Sequence, residues 1–233
     1  MTTQKLKDVV AEKIALKIID GTYPQGAVLP TETDLLNEHG VSRTCLREAL
    51  QVLSGKGLIS SKPKRGTIVR PDVDWNFLDA AMLEWRQKVV PAEKILVELT
   101  AIRTMVEPEA AALSALNASD EQIEEMGRAL DDMRVAEGRR TPETMEADVR
   151  FHRLMLAASG NPLLSGLGAC VEGALRASIA VTSRPEVEDP IALAQHANVF
   201  DAIRDRDPEK ARHEAKVLLQ MTRELLLKAK AVA

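Results

Sequence analysis

The sequence predicts a mainly α-helical protein, in which a small N-terminal domain carries a β-hairpin and a larger C-terminal domain is an antiparallel helical bundle. Only 3% of the 233 residues are aromatic, and Ala, Leu and Glu are frequent, which favours helices packed through aliphatic side chains. Short β-type runs are found only before residue 70, at 59–61 and 67–69, on either side of a Pro/Gly turn. A chain of this length accommodates two domains with separate cores.

The first 70 residues contain signals for three helices and the hairpin. Apolar residues at helical spacing predict a helix over 6–20, which ends at Gly21. Thr31 is the predicted N-cap of a short helix over 32–39, and Gly40 ends it. Ser42 caps a third helix that runs to about Gly55. Followed by a hairpin, this order predicts a winged helix-turn-helix over residues 1–70.

Beyond residue 70 the sequence predicts a linker and linker helix over 71–90 and a helical effector-binding and dimerisation domain over 91–233. Proline stands at the expected first position of five helices, where its missing N–H costs nothing: Pro91, Pro142, Pro162, Pro190 and Pro208. Thr141, Asn161, Asp189 and Asp207 are predicted caps for four of these helices, and Ser119 with Gln122 forms a capping box. The predicted helices cover 76–89, 91–117, 119–136, 141–158, 161–182, 190–205 and 207–230, with a kink at Pro108.

Charge is distributed unevenly along the chain. The formal net charge is -4, yet the stretch from Gly40 to Arg70 contains seven Lys or Arg and one acid, Glu48. A local concentration of cations favours a polyanion such as double-stranded DNA, because each neutralised phosphate releases condensed counterions.

Two cysteines form no disulfide framework, and we see neither a signal peptide nor an apolar run that could span a bilayer, so a cytoplasmic location is expected.

The start of the third helix is the candidate DNA-reading element, since the N-terminal residues of such a helix enter the major groove. Arg43 and Arg47 lie one turn apart, and an arginine fork can pair with guanine O6 and N7. Ser42 and Thr44 suit phosphate contacts. The alternative is a solvated basic helix that Ser42 merely caps.

The bundle offers two kinds of candidate ligand residue. Asp148 and His152 are four residues apart on one helical face and could share a metal ion, although such spacing also suits a surface pair. Arg103 and Arg176 are single arginines in largely apolar helical stretches, where an unpaired charge is costly to bury and a carboxylate ligand would compensate it. Alternatively, Arg103 simply pairs with Glu107 one turn away.

The N-terminal motifs resemble the GntR family of bacterial transcription regulators. The matching segments are Leu29-Pro30-Thr31-Glu32, Val41-Ser42-Arg43-Thr44, Arg47-Glu48-Ala49-Leu50, Gly57-Leu58-Ile59 and the wing glycine Gly66. The resemblance implies that operator DNA is contacted by Arg43, Thr44, Arg47 and the wing tip Arg65-Gly66, and we add Thr31, Ser42 and Lys64 to this set. Thr33 departs from the arginine that is common at its position, so no contact is assigned to it.

The C-terminal segments resemble the FCD effector domain of the FadR subgroup. The matching pieces are Arg103-x-x-x-Glu107-Pro108, Asp148-x-x-Phe151-His152, Asn161-Pro162-Leu163-Leu164 and His196 with the later segment 202–207. The resemblance implies a divalent metal held by one aspartate and three histidines, of which Asp148, His152 and His196 are present. Leu218 stands at the position of the last histidine, and His213 is expected at the surface. The ligand set is therefore incomplete, and it would suit zinc, nickel or manganese.

The linker tract around Trp75 and Trp85 resembles FadR-type regulators of sugar-acid catabolism, galactonate-responsive regulators among them. We expect these tryptophans to dock the linker helix against the bundle. The resemblance implies a homodimeric repressor of a sugar-acid operon on a palindromic operator, with an aldonate or uronate bound near Arg103, Asp148, His152, Arg176 and His196. The alternatives are a regulator that responds to lactate, an amino acid or a fatty-acid derivative, a metal-dependent enzyme that uses Asp148, His152 and His196, and a chromosome-organising protein without an effector.

Overall fold

The computed structural model of the chain describes residues 3–62, 65–135, 141–182 and 190–232. Its contacts divide into two compact units, Met1–Pro91 and Ala92–Ala233. The predicted DNA contact Lys64 and the predicted cap Asp189 lie outside the described residues. No helix in the described part of the chain combines the length and apolarity needed to cross a membrane.

The N-terminal unit is the predicted winged helix-turn-helix followed by an additional helix. Helices α1 (Thr3–Ile19), α2 (Glu32–His39) and α3 (Arg43–Gly55) precede strands β1 (Ile59–Lys62) and β2 (Gly66–Val69), a 3₁₀ turn (Asp72–Asp74) and α4 (Ala80–Val89). The strands are antiparallel, with Ile59 opposite Val69 and Lys62 opposite Gly66. Fully buried side chains of α1, α3 and the hairpin form the core, among them Ile14, Leu46, Leu53 and Ile59.

Local caps set the ends of the helices in this unit, as the sequence predicts. Thr31 Oγ1 accepts a hydrogen bond from the Asp34 N–H at 3.3 Å, and the Asp34 carboxylate accepts one from the Thr31 N–H at 3.1 Å. Gly40 ends α2 with a φ of 62°, and Ser42 Oγ accepts from the Cys45 N–H at 3.2 Å to begin α3. Each cap satisfies backbone groups that the helix leaves unpaired.

The segment that follows the hairpin is built into this unit. The Asn76 N–H donates to Lys56 O at 2.9 Å, and Trp75 Nε1 donates to Arg70 O at 3.0 Å. Asp79 caps α4 by accepting from the Met82 N–H, and its carboxylate also pairs with the Lys56 ammonium at 2.5 Å. This cap starts α4 at residue 80, four residues later than the sequence suggests.

The expected docking of the two tryptophans is wrong. Met82 and Trp85 belong to the same buried cluster as α1 and α3, and Trp75 packs against that cluster. Trp85 is only 6% exposed. The reason is that α4 packs against α1, so Met82 and Trp85 complete the N-terminal core.

In the described residues of the C-terminal unit, every element of secondary structure is a helix. Its elements are α5 (Ala92–Asn117), α6 (Asp120–Val135), α7 (Pro142–Ala158), α8 (Pro162–Gly166), α9 (Gly168–Thr182), α10 (Pro190–Arg204) and α11 (Pro208–Val232). The predicted single helix over 161–182 is two helices that meet at Leu167, because Gly166 and Gly168 both weaken helical structure there. Helix α5 continues through the buried Pro108.

Alanines dominate the core of this unit and let its helices approach closely. The buried cluster contains Ala111, Ala115, Ala129, Ala202 and Ala211, with Phe151 and Met155 among its larger members. The predicted capping box is present, since Ser119 N donates to Gln122 Oε1 and Gln122 N donates to Ser119 Oγ. Helix α5 packs against α7, α9, α10 and α11. It is therefore the central helix of the bundle.

Gly57→Ala should destabilise the N-terminal unit strongly. Gly57 has a φ of 81°, and a Cβ placed there would lie 2.1 Å from Asp74 O, so the substitution combines backbone strain with displacement of the linker. We expect a loss of about 2–3 kcal/mol in the free energy of unfolding. Tryptophan fluorescence during urea unfolding measures it selectively, because Trp75 and Trp85 are the two tryptophans of the chain.

Gly40→Ala is the matched control. Gly40 also has a positive φ, of 62°, but a Cβ there would meet nothing within 4 Å. It should lose only the cost of the left-handed conformation, about 1–2 kcal/mol. Equal losses at the two positions would contradict the importance of the contact with Asp74.

Candidate nucleic-acid interface and ligand site

Helix α3 separates its residues into a buried face and a basic exposed face. Leu46, Ala49 and Leu53 are buried in the core, which turns the opposite side of the helix outward. Arg43, Thr44 and Arg47 are all exposed on that side, as is the cap residue Ser42. The predicted reading residues are therefore accessible together at the start of the helix.

Arg47 also borders an open cleft of about 400 Å³ between α2, α3 and the hairpin. Its Nε lies 3.7 Å from Glu32 Oε1, across the cleft on the first turn of α2. The remaining lining residues include Gln51 from α3 and two hydroxyl residues of the strands, Ser61 and Thr67. The cleft is thus lined by polar and apolar side chains in similar measure, with Arg47 at its border.

At the wing, Arg65 and Gly66 are exposed. Gly66 has a φ of 81° and begins β2, so it provides the conformation that the turn requires. Thr31 is exposed as well, but its hydroxyl is engaged with Asp34 in the cap of α2. A DNA contact from Thr31 would have to share this hydroxyl.

In the C-terminal unit, three predicted ligand residues converge between α7 and α10. Asp148 Oδ1 lies 3.0 Å from His196 Nε2 and 3.3 Å from His152 Nε2, and the two Nε2 atoms are 3.2 Å apart. His152 and His196 are 1% and 7% exposed. The surface-pair interpretation of Asp148 and His152 is therefore wrong.

Two residues of α5 complete the cluster from the other side. Arg103 Nε donates to Glu107 Oε1 at 2.5 Å, and Glu107 Oε2 lies 2.7 Å from His152 Nδ1. Arg103 Nη2 also reaches within 3.2 Å of His152 Nε2. The expected pairing of Arg103 with Glu107 is thus present, and it coexists with a position beside the ligand cluster.

The charges of the cluster stabilise one another against burial. Burial raises the pKa of Glu107, but the positive charges of Arg103 and His152 outweigh it and bring the pKa down to about 2. Burial lowers the pKa of His152, but the Glu107 carboxylate outweighs that effect and raises the pKa to about 9. Glu107 is therefore ionised, and it compensates two cationic groups at once.

The three converging atoms fit a small divalent metal ion. Ligand atoms about 2.0–2.1 Å from a tetrahedral zinc are about 3.3 Å apart, close to the separations of 3.0–3.3 Å among Asp148, His152 and His196. Asp148 Oδ1 is buried and has no hydrogen bond of good geometry among the described residues. Glu107 meets the Nδ1 side of His152, as carboxylates do when they orient a metal-binding imidazole.

Other predicted site residues lie elsewhere. Arg176 is half exposed and pairs with Glu172 and Glu146, each at 3.0 Å, so the premise that it is a buried unpaired charge is wrong. Leu218 is buried in the apolar core, and His213 is exposed. From the sequence, Glu107 was expected to pair with Arg103 and was not included among the ligand residues. The spacing of four residues predicts the pairing of Glu107 with Arg103. It cannot predict the contact with His152, because that residue lies on a different helix.

Comparison with known families gives two matches that together cover most of the chain. Residues 6–69 match the model of bacterial regulatory proteins of the gntR family, and residues 98–221 match the FCD domain. The chain belongs to the GntR family. It is a DNA-binding transcription regulator with an FCD domain and not an enzyme, which removes the alternative of a metal-dependent enzyme. Regulators of this family bind operator DNA and respond to small-molecule effectors.

Individual relatives match over nearly the whole chain. The galactonate operon transcriptional repressor of Escherichia coli is 31% identical over 94% of this chain and 95% of its own length. The transcriptional repressor NanR of Klebsiella aerogenes is 28% identical over 91% of this chain and 81% of its own length. Among solved structures, Lar, which controls the expression of the Listeria monocytogenes agr system, has a TM-score of 0.63 at 18% identity, covering 97% of each chain. GntR of Streptococcus agalactiae has a TM-score of 0.53 at 22% identity, covering 94% of this chain and 99% of that one. The two structures agree with the fold.

Glu107→Gln should destabilise the C-terminal unit far more than an exposed change of the same kind. The substitution leaves Arg103 buried without its counter-charge, and breaking a buried pair costs about 3–5 kcal/mol. The measurement is urea unfolding followed by far-UV circular dichroism, with tryptophan fluorescence as an internal reference for the N-terminal unit.

Glu124→Gln is the matched control. Glu124 and Arg128 have the same spacing of four residues, but both are largely exposed. Their pair should contribute about 0.5 kcal/mol or less. A similar small loss in Glu107→Gln would show that the buried network is not a major source of stability.

Proposed function

We propose that this regulator is a homodimeric repressor of a sugar-acid catabolic operon, acting in the cytoplasm and released from its operator by an aldonate or uronate such as galactonate. The convergence of Asp148, His152 and His196 beside the Arg103 guanidinium is the observation that carries the effector proposal. The similarity to the galactonate operon repressor supports the choice of ligand class.

On the operator side, the winged helix-turn-helix presents its exposed arginines to the major groove. We propose that Arg43 and Arg47 read bases, that Ser42 and Thr44 contact phosphates, and that Arg65 and Gly66 of the wing reach the adjacent backbone. Thr31 and Lys64 complete this set as proposed contacts. The exposure of Arg43, Thr44 and Arg47 on one side of α3, with the exposed cap residue Ser42 beside them, supports the assignment.

On the effector side, a hydroxylated carboxylate matches the chemistry of the cluster. The Arg103 guanidinium provides donors for carboxylate oxygens. The Asp148 carboxylate can accept from hydroxyl groups, and the imidazoles of His152 and His196 can do so, or bind a metal ion, once they have lost their ring proton. If these three residues hold zinc, nickel or manganese, the metal supplies a Lewis-acid position for an effector oxygen. Because Arg176 is paired at the surface, we do not include it in this site.

Control of DNA binding requires that the effector favour one placement of the two units over another. Only a difference in affinity between two states shifts their equilibrium, so effector and operator must oppose each other reciprocally. We propose residues 1–70 as the operator-binding domain, 71–90 as linker and linker helix, and 91–233 as the effector-binding and dimerisation domain. Trp75 donates to Arg70 and Asn76 donates to Lys56. These contacts support the proposal that the linker moves together with the rest of the N-terminal unit, which we call the head.

Sugar acids should stabilise the protein and weaken its binding to operator DNA. A ligand at 100 times its Kd adds about 2.7 kcal/mol of stability, so galactonate should raise the melting temperature in a thermal-shift assay. Asp148→Asn, which keeps the size of the side chain and removes its charge, should abolish the shift and the response of operator affinity in fluorescence anisotropy.

Glu146→Gln is the control for this experiment, because Glu146 lies on the same helix and contacts Arg176 at the surface. It should respond like the wild type. Chelator-treated protein, with and without added Zn²⁺, Ni²⁺ or Mn²⁺, reports whether the response needs a metal. Aldonates and uronates that change neither melting nor operator affinity would count against a sugar-acid effector.

The dimer is supported by an apolar strip on α5. Val97, Ala101 and Met105 are spaced by four residues, so they share one helical face, and all three are exposed. Val97 is 65% and Met105 70% exposed, so this face of α5 presents apolar side chains to solvent over two turns. A two-fold dimer buries the same patch on both subunits, and such a strip suits that arrangement.

Met105→Glu should convert the dimer to a monomer, because it would place two carboxylates in one apolar interface. Sedimentation velocity measures the change, and Leu163→Glu is the control, since Leu163 is 80% exposed on α8. A Met105→Glu protein that sediments as a dimer would place the interface on another surface.

A further inference from the structure

A carboxylate lies on the surface of the head that is proposed to bind DNA, where a negative charge would repel phosphates. Glu32 lies on the first turn of α2, and its Oε1 is 3.7 Å from Nε of Arg47 on α3. Both residues line the cleft between α2, α3 and the hairpin. Their side chains are 41% and 74% exposed, so neither is hidden from an approaching duplex.

The position of Glu32 is well fixed by its helix. It directly follows the N-cap Thr31, whose box with Asp34 holds the first turn of α2 in place. The helix N-terminus carries partial positive charge, which attracts the Glu32 carboxylate to this end of α2. Leu35, one turn further along α2, is buried in the core and anchors the same turn.

The contact also leaves the reading end of the arginine free. Glu32 approaches Nε of Arg47, whereas the two terminal nitrogens form the fork that pairs with guanine O6 and N7. A carboxylate beside Nε restricts the rotation of the long side chain without occupying the fork. Arg47 can therefore meet a base edge with less loss of side-chain freedom.

The same carboxylate has an opposite effect on binding without sequence preference. Every duplex brings phosphates to this surface, and a nearby negative charge weakens the attraction for all of them equally. Only a base pair that engages the Arg47 fork gains from the restricted arginine. The restriction of Arg47 therefore raises the ratio of operator binding to other binding, while the negative charge of Glu32 lowers the background binding to every duplex.

We propose that Glu32 is a specificity-determining positioning residue, which orients Arg47 for base reading and suppresses binding to unrelated sequences. This inference rests on the proposed role of Arg47 as a base-reading residue. It assigns discrimination to a residue of α2 that lies outside the set of expected DNA contacts.

The test compares binding of the full chain to two duplexes by fluorescence anisotropy. One is a duplex that the wild-type protein enriches from a random library, and the other has the same composition in shuffled order. Glu32→Gln should bind the shuffled duplex more tightly and reduce the ratio of the two dissociation constants about two- to fivefold, the range of an exposed ion pair.

Two further variants make the result specific. Glu48→Gln removes one negative charge from α3 next to Arg47, so it reports the effect of net charge alone and should leave the ratio nearly unchanged. In an Arg47→Ala background, Glu32→Gln should no longer alter the ratio, because the residue it positions is absent. Circular dichroism of each variant verifies that the helices are formed.

The outcomes separate this inference from the proposed function. Library selection by the wild type without an enriched sequence, or an Arg47→Ala variant with full discrimination, would overturn base reading by Arg47 and this inference with it. An unchanged ratio in Glu32→Gln, or the same reduction in both backgrounds, would overturn the positioning role alone. So would altered preference at a base pair that Arg47→Ala does not affect, since Glu32 would then contact that base directly.

Discussion

The burial of opposite charges between α5 and α7 is the constraint on which the C-terminal unit depends. Arg103 and Glu107 are 3% and 1% exposed, and neither can be removed from water without a partner. Their contacts with His152 fix how α5 and α7 face each other, and small alanines in the surrounding core allow the close approach. Helix α10 then brings His196 to the same point. The pairing that makes these charges tolerable also directs them toward one location, so the stability of the bundle and the proposed binding of a polar ligand have a common origin.

The two units use charge in different ways. In the head, Arg43 and Arg47 are kept at the surface, where a polyanion can reach them, and the helices are held by caps and aliphatic packing instead. In the bundle, charged residues are enclosed with their partners, where the low local dielectric strengthens each contact. Exposed cations suit a polyanion such as DNA, which releases its bound counterions when they pair with its phosphates. Buried charges suit a small molecule that is desolvated when it binds.

Much of the fold could be predicted because its signals are local. Helix starts are signalled by cap residues within a few positions along the chain, and the structure has a helix after each of the caps Thr31, Ser42, Ser119 and Thr141. The break at Leu167 was missed because apolar spacing continues across it, whereas the flanking glycines interrupt the backbone. Arg176 was misplaced because an apolar stretch does not say which face of the helix one residue occupies. The destination of Trp85 and the double role of Glu107 depend on contacts between distant elements, which spacing along the chain does not encode.

The close approach of Gly57 to Asp74 has a consequence for how such proteins can be recombined. The chain beyond the hairpin packs closely against Gly57, and Trp85 completes the core of the head. Arg70 is therefore a poor point at which to exchange one effector domain for another. A cut there would leave an apolar opening where Met82 and Trp85 now lie. The natural crossover point is Val90-Pro91, after α4 has ended. A fusion at this junction keeps the core of the DNA-binding unit intact. A fusion nearer to the hairpin would have to replace the apolar contacts of Met82 and Trp85.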